Sequence, residues 1–279
     1  LAMLGAASGF VASSASAATV IINDSFDDGA IGTNTLGTGT GFYSYEANGG
    51  TVAESGGAVV LASAGHGGHI SSIGSKDSLD ATVAESVFAF SGVSFADVGG
   101  GGSGVVDRVF VGVRQSETLG TAGSAAALGH GFYVTFGNDA MYSNVLNDKG
   151  SLTYINESGT AAVLASWTWD TLSFLNSTLT PVLDISIGLT ANSWSFDITG
   201  DTQGGGSTIS FSGTDPAAFG GDDNHGVTTG HAYAFNQNQE PNMNMTIEGI
   251  EVTAVPEPGS YALLAGLAGM AFVMARRRI

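Results

Sequence analysis

Two neighbouring runs of strict alternation constrain the fold of this chain more than any other feature. In residues 183–190 every odd position is Leu or Ile, and every even position is Asp, Ser, Gly or Thr. In residues 194–199 Trp, Phe and Ile alternate with Ser, Asp and Thr. A period of two is typical of a half-buried β-strand. The residues "TANS" between the runs predict a short turn, so the two runs predict a β-hairpin.

Other short runs of β-type composition lie between clusters of Gly, Asn, Asp and Ser. They are "VFAFSGVSF" from Val87, "RVFVGV" from Arg108, "GFYVTF" from Gly131, "SLTYI" from Ser151 and "STISFS" from Ser207. Many short strands with regular turns are typical of an all-β sandwich or barrel. No repeat of fixed period indicates a propeller or a solenoid. We therefore predict one large β-sandwich over residues 18–254.

The charge and the cysteine count exclude several classes of function. The 279 residues include 25 acidic and only 7 basic side chains, and the net charge is −18. Such a chain repels phosphate backbones, so nucleic acid is not an expected partner. There is no cysteine, which removes disulfides, zinc–thiolate sites and cysteine nucleophiles together.

Residues 255–279 differ from everything before them. Pro256 and Pro258 flank Glu257, and two prolines so close exclude a helix or a central strand there. An uncharged, apolar stretch follows at residues 261–275. It is somewhat shorter than the ~20 residues that a membrane-spanning helix needs, and Gly259 and Ser260 extend it toward that length. The sequence predicts a stiff spacer followed by a transmembrane helix.

Arg276, Arg277 and Arg278 follow this stretch. Positive charges beside a span stay on the cytoplasmic side, which places the rest of the chain across the membrane. The order of Pro-Glu-Pro, span and arginines resembles the PEP-CTERM sorting signal of Gram-negative bacteria. That resemblance implies an exosortase-type enzyme that recognises residues 256–258 and removes the tail. The inner membrane would be a transient anchor, and the cell surface or the extracellular matrix the destination. A permanent tail anchor is the alternative.

The N-terminal residues 1–17 are apolar and small, and they end in an A-x-A arrangement formed by Ala15 and Ala17. This pattern predicts a secretory signal peptide that is cleaved after Ala17. Because a positively charged start is missing, we interpret the segment as truncated. A helix of small residues is the alternative.

The body of the chain begins with "INDSFDDGAIG" and ends with "MTIEGIEVTA" directly before the tail. Together with the strand pattern, these ends resemble concanavalin A-like (laminin G-like) jelly-roll domains. The resemblance implies that the first and last strands pair. The apolar positions change parity between residues 243–247 and residues 250–252. This change predicts a β-bulge at Gly249.

The same resemblance implies a structural calcium ion near the chain ends. Calcium takes six to eight oxygen ligands, mainly carboxylates and carbonyls. Asp24, Asp27, Asp28 and Glu248 are the expected contributors if the terminal strands pair. Solvated turn carboxylates are the alternative, and no other cofactor is expected.

The five histidines are predicted to be polar loop residues. His66 and His69 lie three residues apart, but the glycines around them indicate a loop and no third metal ligand is evident. His130, His225 and His231 are isolated in the sequence.

No catalytic residue is predicted. A glycosidase needs two facing carboxylates, and neither that pattern nor a G-x-S-x-G elbow nor a phosphate loop occurs. Aromatic residues that stack on sugars in binding sites are present, although core positions are the alternative for them. They are Trp167, Trp169, Trp194, Tyr43, Tyr45 and Tyr142.

These observations favour an exported protein, not an enzyme, with a structural or adhesive role in extracellular polymer. A glycan-binding, lectin-like module with extracellular polysaccharide as its partner is the alternative, and a polysaccharide hydrolase is the third. An exposed aromatic pair beside polar groups would favour the lectin. Two facing carboxylates in a cleft would favour the hydrolase.

Overall fold

The computed structural model describes most of the predicted body and three short pieces of the tail. The described residues are 18–31, 41–47, 49–63, 69–82, 85–96, 108–116, 128–136, 149–168, 182–200, 207–214, 225–238, 244–255, 266–267, 269–270 and 274–275. The strands within them are β1 Thr19–Asp24, β2 Phe42–Ala47, β3 Gly50–Glu54, β4 Val59–Ser63, β5 His69–Ser75, β6 Glu85–Ala96, β7 Arg108–Arg114, β8 Gly131–Phe136, β9 Lys149–Ile155, β10 Ala161–Thr168, β11 Leu183–Thr190, β12 Ser193–Gly200, β13 Ser207–Gly213, β14 His231–Asn238, β15 Asn244–Ile247 and β16 Gly249–Val255.

The strands form two antiparallel sheets. The nine-stranded sheet has the order β13-β12-β11-β6-β15-β4-β3, with β16 paired to β6 and β1 paired to β16. The seven-stranded sheet has the order β10-β9-β8-β7-β14-β5-β2. The predicted all-β sandwich of two antiparallel sheets is therefore confirmed.

The hydrophobic core lies between the two sheets. The nine-stranded sheet contributes alternate residues of β6 and β11, such as Phe88 and Ile187, and the seven-stranded sheet contributes Val111 and Phe132. All four side chains are fully buried. Burying a side chain of this size contributes about 1.5–3 kcal/mol. This burial supplies a large core without any disulfide.

The predicted hairpin is present as β11 and β12. Thr190 pairs with Ser193, and two residues form the turn between them. The burial of β11 alternates along its whole length, as the period-two pattern predicts. Strand β8 differs, because all six of its residues are buried. On its second face, Tyr133 belongs to a buried aromatic cluster on the outer side of the seven-stranded sheet.

The first and last strands pair, as the jelly-roll resemblance implied. Thr19 of β1 lies opposite Ala254 of β16, and Asp24 lies opposite Ile250. The change of parity is also confirmed, because the last strand is interrupted at Glu248 and the buried positions shift there.

The bulge that accompanies this change is not at Gly249, where it was predicted. On β6, Phe90 pairs with Ile185 of β11, and Val93 pairs with Leu183. The paired residues are three positions apart on β6 but only two positions apart on β11. The extra residue therefore belongs to β6. Opposite β15 and β16, β6 has no extra residue. Gly249 pairs with Ser91 and Thr246 pairs with Ser94, so the paired residues are three positions apart on both sides. The inward-facing positions therefore change parity on both sides of this pairing.

Gly92 makes this bulge possible. Its φ is +62°, a value that glycine adopts without steric cost. Its N–H donates to Oδ1 of Asp184 at 3.0 Å, so the carboxylate replaces the ladder bond that a bulge interrupts. The side chain of Glu248 lies across Gly92, and a Cβ at Gly92 would approach Glu248 Cγ to 2.4 Å.

We expect Gly92→Ala to lower the free energy of unfolding by more than Gly56→Ala does. Gly56 has a similar φ of +69°, but open space surrounds it. Both substitutions force alanine into the left-handed region at a cost of about 1–2 kcal/mol, and only Gly92→Ala also displaces Glu248. Urea unfolding of the two variants measures the difference. Glu248→Ala should recover part of the loss in the Gly92→Ala background. Equal losses for Gly92→Ala and Gly56→Ala would contradict this account of the bulge.

Candidate functional site

The chain ends gather carboxylates, and one of them was not predicted. Asp24 is buried, and its Oδ1 accepts a hydrogen bond from the N–H of Phe26 at 2.9 Å. Glu54, at the end of β3, accepts from the N–H of Gly29 through Oε1 at 2.6 Å. Asp28 accepts from the N–H of Ala30 at 2.8 Å. Glu54 is thereby held against the loop that carries Asp28, one of the predicted calcium ligands.

The pKa of Glu54 reflects the closeness of the other carboxylates. Partial burial raises the pKa of Glu54, and the nearby charges of Asp28 and Asp24 raise it further. The hydrogen bond from Gly29 offsets part of this increase. Like charges at close range disfavour ionisation unless a cation lies between them. The carboxylates near Glu54 are therefore a place where a cation would be stabilising.

The other two predicted ligands lie elsewhere or in solvent. Asp27 is exposed, and the exposed Glu248 lies over Gly92 at the bulge. Within the described residues, no three or more His, Asp or Glu side chains are arranged to hold a metal ion. The calcium site therefore stays a prediction, and Glu54 is a further carboxylate near two of its expected ligands.

We expect Glu54→Gln to raise the free energy of unfolding modestly at pH 7. The folded state raises the pKa of Glu54, so wild-type stability falls as pH rises through that pKa, whereas Gln keeps the acceptor without the charge. The effect should be below about 1 kcal/mol because the side chain is only partly buried and solvent screens its charge. The gain should vanish near pH 4. Glu46→Gln is the matched control, since Glu46 also accepts a backbone N–H, that of Val52.

Melting curves with calcium and with chelator test the ion on the same proteins. If calcium binds here, it should raise the melting temperature of wild type and of Glu46→Gln, but much less that of Glu54→Gln. A calcium shift equal in all three proteins would place the ion elsewhere. No shift in any of them would refute the predicted calcium site.

A buried histidine junction joins the ends of the two sheets. His130 and His225 lie between strands, as predicted, but they are buried, and His231 is the first residue of β14 and not a loop residue. His130, His225 and His231 are 8%, 1% and 7% exposed. The carbonyl of His225 accepts from Tyr154 Oη at 2.8 Å and lies 2.6 Å from His130 Nε2. The N–H of His225 donates to the carbonyl of Ala191, in the hairpin turn of the nine-stranded sheet, at 3.2 Å. Single isolated histidines gave no sequence signal of this packing.

Burial sets the protonation of the junction. Desolvation lowers the pKa of His225 to about 4, although hydrogen bonding to the backbone of Thr190 opposes the shift. Desolvation also lowers the pKa of His130, against its bond to His225 and the charge of Glu157. His225 is therefore neutral near pH 7. Its Nδ1 is the acceptor for the N–H of Val227 at 3.1 Å.

We expect the protein to lose stability as pH falls from about 6.5 to about 4. In this window His225 is protonated in the unfolded chain but stays neutral in the folded protein. One such histidine therefore lowers the free energy of unfolding by up to about 1.4 kcal/mol per pH unit. His225→Asn keeps an acceptor for Val227 and removes the titration. Urea unfolding over pH 4–7 should give a shallower slope for this variant. An identical slope for wild type and variant would contradict the assignment.

The described tryptophans belong to the core. Trp167 stacks on Phe196 with ring centroids 5.1 Å apart, and Trp194 is 6% exposed. Tyr43 is 44% exposed, and Lys76 Nζ lies 5.3 Å from its ring centroid. Of the described candidates for sugar stacking, Tyr43 alone presents an open ring face. Trp169, Tyr142 and the side chain of Tyr45 lie outside the described residues, as do His66 and the side chain of His69.

The outer face of the seven-stranded sheet carries a second aromatic cluster. Its buried members include Phe110, Tyr133, Tyr233 and Phe235. Tyr133 Oη donates to the carbonyl of Leu128 at 2.8 Å. The protein itself therefore occupies the space over these rings, and they do not form an open sugar groove.

An open cleft of about 490 Å³ lies on the nine-stranded sheet at the turn end of the β11–β12 hairpin. This volume is within the roughly 300–1,000 Å³ that is usual for small-molecule sites. Its polar lining consists of hydroxyl side chains on or beside three adjacent strands and one carboxylate. These residues are Thr190, Ser193, Ser195, Ser212, Thr214 and Glu85, and Gly188, Leu189, Trp194 and Gly213 complete the lining.

The predicted processing signals lie outside the described residues. They are Ala15, Ala17, Pro256, Glu257, Pro258, Arg276, Arg277 and Arg278. Among the described residues, no helix is long and apolar enough to cross a membrane. The signal peptide and the transmembrane helix therefore stay predictions.

Comparison with known structures shows that the body has a fold similar to the jelly roll of legume lectins and concanavalin A-like proteins. Lectin II from Ulex europaeus superposes with a TM-score of 0.52 at 12% identity, over 84% of this chain and 97% of the lectin. Peanut lectin with a 9-mer peptide gives 0.50 at 13% identity, over 76% of this chain and 97% of that one. At such identities the likeness concerns the fold alone.

The tail is identified by its sequence. Residues 254–278 match the PEP-CTERM protein-sorting motif. The recognised motif thus begins in the last residues of β16, directly where the sandwich ends. No curated protein matches the chain by sequence.

Proposed function

We propose that this chain is an exported protein whose tail is processed by an exosortase-type enzyme and whose sandwich has an adhesive, structural role in extracellular polymer. The position of the sorting motif carries the proposal. The motif at residues 254–278 begins in the last strand and continues beyond it. Removing the tail after Val255 would take away no described strand.

The pairing of the chain ends supports the same conclusion. β1 begins at Thr19, shortly after the predicted cleavage at Ala17, and Thr19 pairs with Ala254. Both processed ends therefore leave the sandwich at one place. After processing, the body would keep its two sheets and its apolar core. Its acidic surface keeps it soluble through self-repulsion.

Glycan binding is the second candidate function. The fold is that of lectins, and one of them, the lectin UEA-II complexed with galactose, superposes on this chain with a TM-score of 0.52. Its 11% identity over 84% of this chain supports the fold and leaves the ligand open. The hydroxyl-lined cleft is the specific feature that favours this function. Extracellular polysaccharide would then be the material to which the protein adheres.

A hydrolase ranks third. A glycosidase needs two carboxylates on either side of the scissile bond, about 5–9.5 Å apart. Among the described residues that line the cleft, Glu85 is the one carboxylate. Asp184, in the next strand, accepts the N–H of Gly92 at the bulge and serves the backbone there.

We expect replacement of Pro256, Glu257 and Pro258 by alanine to block processing in the native host. The unprocessed protein should then accumulate in the inner membrane, because the recognised residues are lost and the apolar tail remains. Cell fractionation and mass spectrometry of the C-terminus measure this. Glu251→Ala, an exposed acid earlier in β16, is the control and should be processed normally. Normal surface delivery of the triple variant would refute the proposed sorting.

A further inference from the structure

We propose that the cleft on the nine-stranded sheet, lined by Ser195, Ser212, Thr214 and Glu85, binds an uncharged saccharide. This inference rests on the glycan-binding function proposed above and names its site. Ser195, on β12, pairs with Gly188 of β11 on one side and with Ser212 of β13 on the other. The hydroxyl groups therefore project from neighbouring paired strands, and a rigid sheet sets their spacing.

A glycine on β11 leaves room for the Ser195 hydroxyl. A Cβ at Gly188 would come within 2.3 Å of Ser195 Oγ, so the serine hydroxyl already lies across this glycine. A larger residue at Gly188 would displace the hydroxyl and fill this part of the cleft.

Three polar groups of the cleft are available to a ligand. Thr190 and Ser193 are not among them, because their hydroxyl groups bond to each other. The side chains of Ser195, Ser212 and Glu85 are exposed, and no hydrogen bond joins them to another described residue. Serine and threonine hydroxyls both donate and accept, as sugar hydroxyls do.

Charge decides which saccharide fits. Glu85 is the one charged group of the cleft lining, and the chain carries a net charge of −18. This field repels polymers of uronic acids. An uncharged sugar instead donates its hydroxyl hydrogens to the Glu85 carboxylate, and such charge-assisted bonds are roughly twice as strong as neutral ones.

Binding to the full chain in mild detergent tests the proposal. The probes are uncharged oligosaccharides of glucose, galactose and mannose on an array, with a galacturonic acid oligosaccharide as the charged comparison. Titration calorimetry then measures the affinity of the best uncharged probe. Ser195→Tyr places a ring in the cleft at an exposed strand position. Thr199→Tyr makes the same change on the same strand and face, four residues away from Ser195, and serves as the matched control.

We expect wild type to bind at least one uncharged probe and not the galacturonate. Ser195→Tyr should lower its affinity by at least about tenfold, which corresponds to 1.4 kcal/mol, and Thr199→Tyr should change it by less than about twofold. Glu85→Gln should also weaken binding while leaving the melting temperature unchanged, which separates a lost contact from a misfolded variant.

Two outcomes would overturn the proposal in distinguishable ways. If wild type binds a saccharide and Ser195→Tyr binds it equally well, the cleft is not the site but glycan binding stands. If wild type binds none of the uncharged probes, the cleft proposal and the glycan-binding function both fail. The sorting of the tail is unaffected by either outcome, because its own variants test it.

Discussion

The nine-stranded sheet depends on β6, which pairs along one edge with β11 and along the other with both β15 and β16. The hydrogen-bond registers of β6 with all three neighbours must therefore be compatible. The bulge at Gly92 makes them compatible. It gives β6 one residue more than β11, and β15 and β16 beside it change which positions face the core. The N–H that the bulge removes from the ladder is satisfied by Asp184. One left-handed glycine and one carboxylate thus accommodate the extra residue of β6 between its two neighbours.

The sequence pattern predicted those features of the fold that depend on residues close together in the chain. The β11–β12 hairpin followed from alternation and a short turn, because both arise from neighbours in sequence. The parity change near Gly249 was also visible. Its cause was not, since the extra residue lies on β6, far away in the chain. Likewise β8 was recognisable as a strand, but its burial on both faces depends on contacts with distant segments, such as those that Tyr133 makes in the outer aromatic cluster. Such contacts between distant segments leave no periodic signal in either segment.

The candidate sites follow the same division. Asp24 and Asp28 were predictable as acidic residues at a chain end, whereas Glu54 reaches them only because β3 folds back against that end. The histidines were assigned to loops, since a lone histidine among polar residues and glycines looks solvated. In the folded chain the carbonyl of His225 becomes the shared acceptor for Tyr154 and His130, and its burial is the cost of joining two sheets with polar groups. The cleft was missed because its hydroxyls come from separate strands.

The position of the sorting tail has a mechanical consequence. The tail leaves the sandwich from β16, and β16 is paired along both edges, with β6 from Glu85 to Ser91 and with β1 from Thr19 to Asp24. The strand that leads into the tail is therefore held by two antiparallel ladders, so that many hydrogen bonds connect it to the sandwich. An edge strand would offer one ladder only. The same double pairing means that removal of the tail exposes no new sheet edge, which is the feature that invites aggregation. If the tail is removed as proposed, the pairing of the two chain ends therefore leaves both edges of β16 covered.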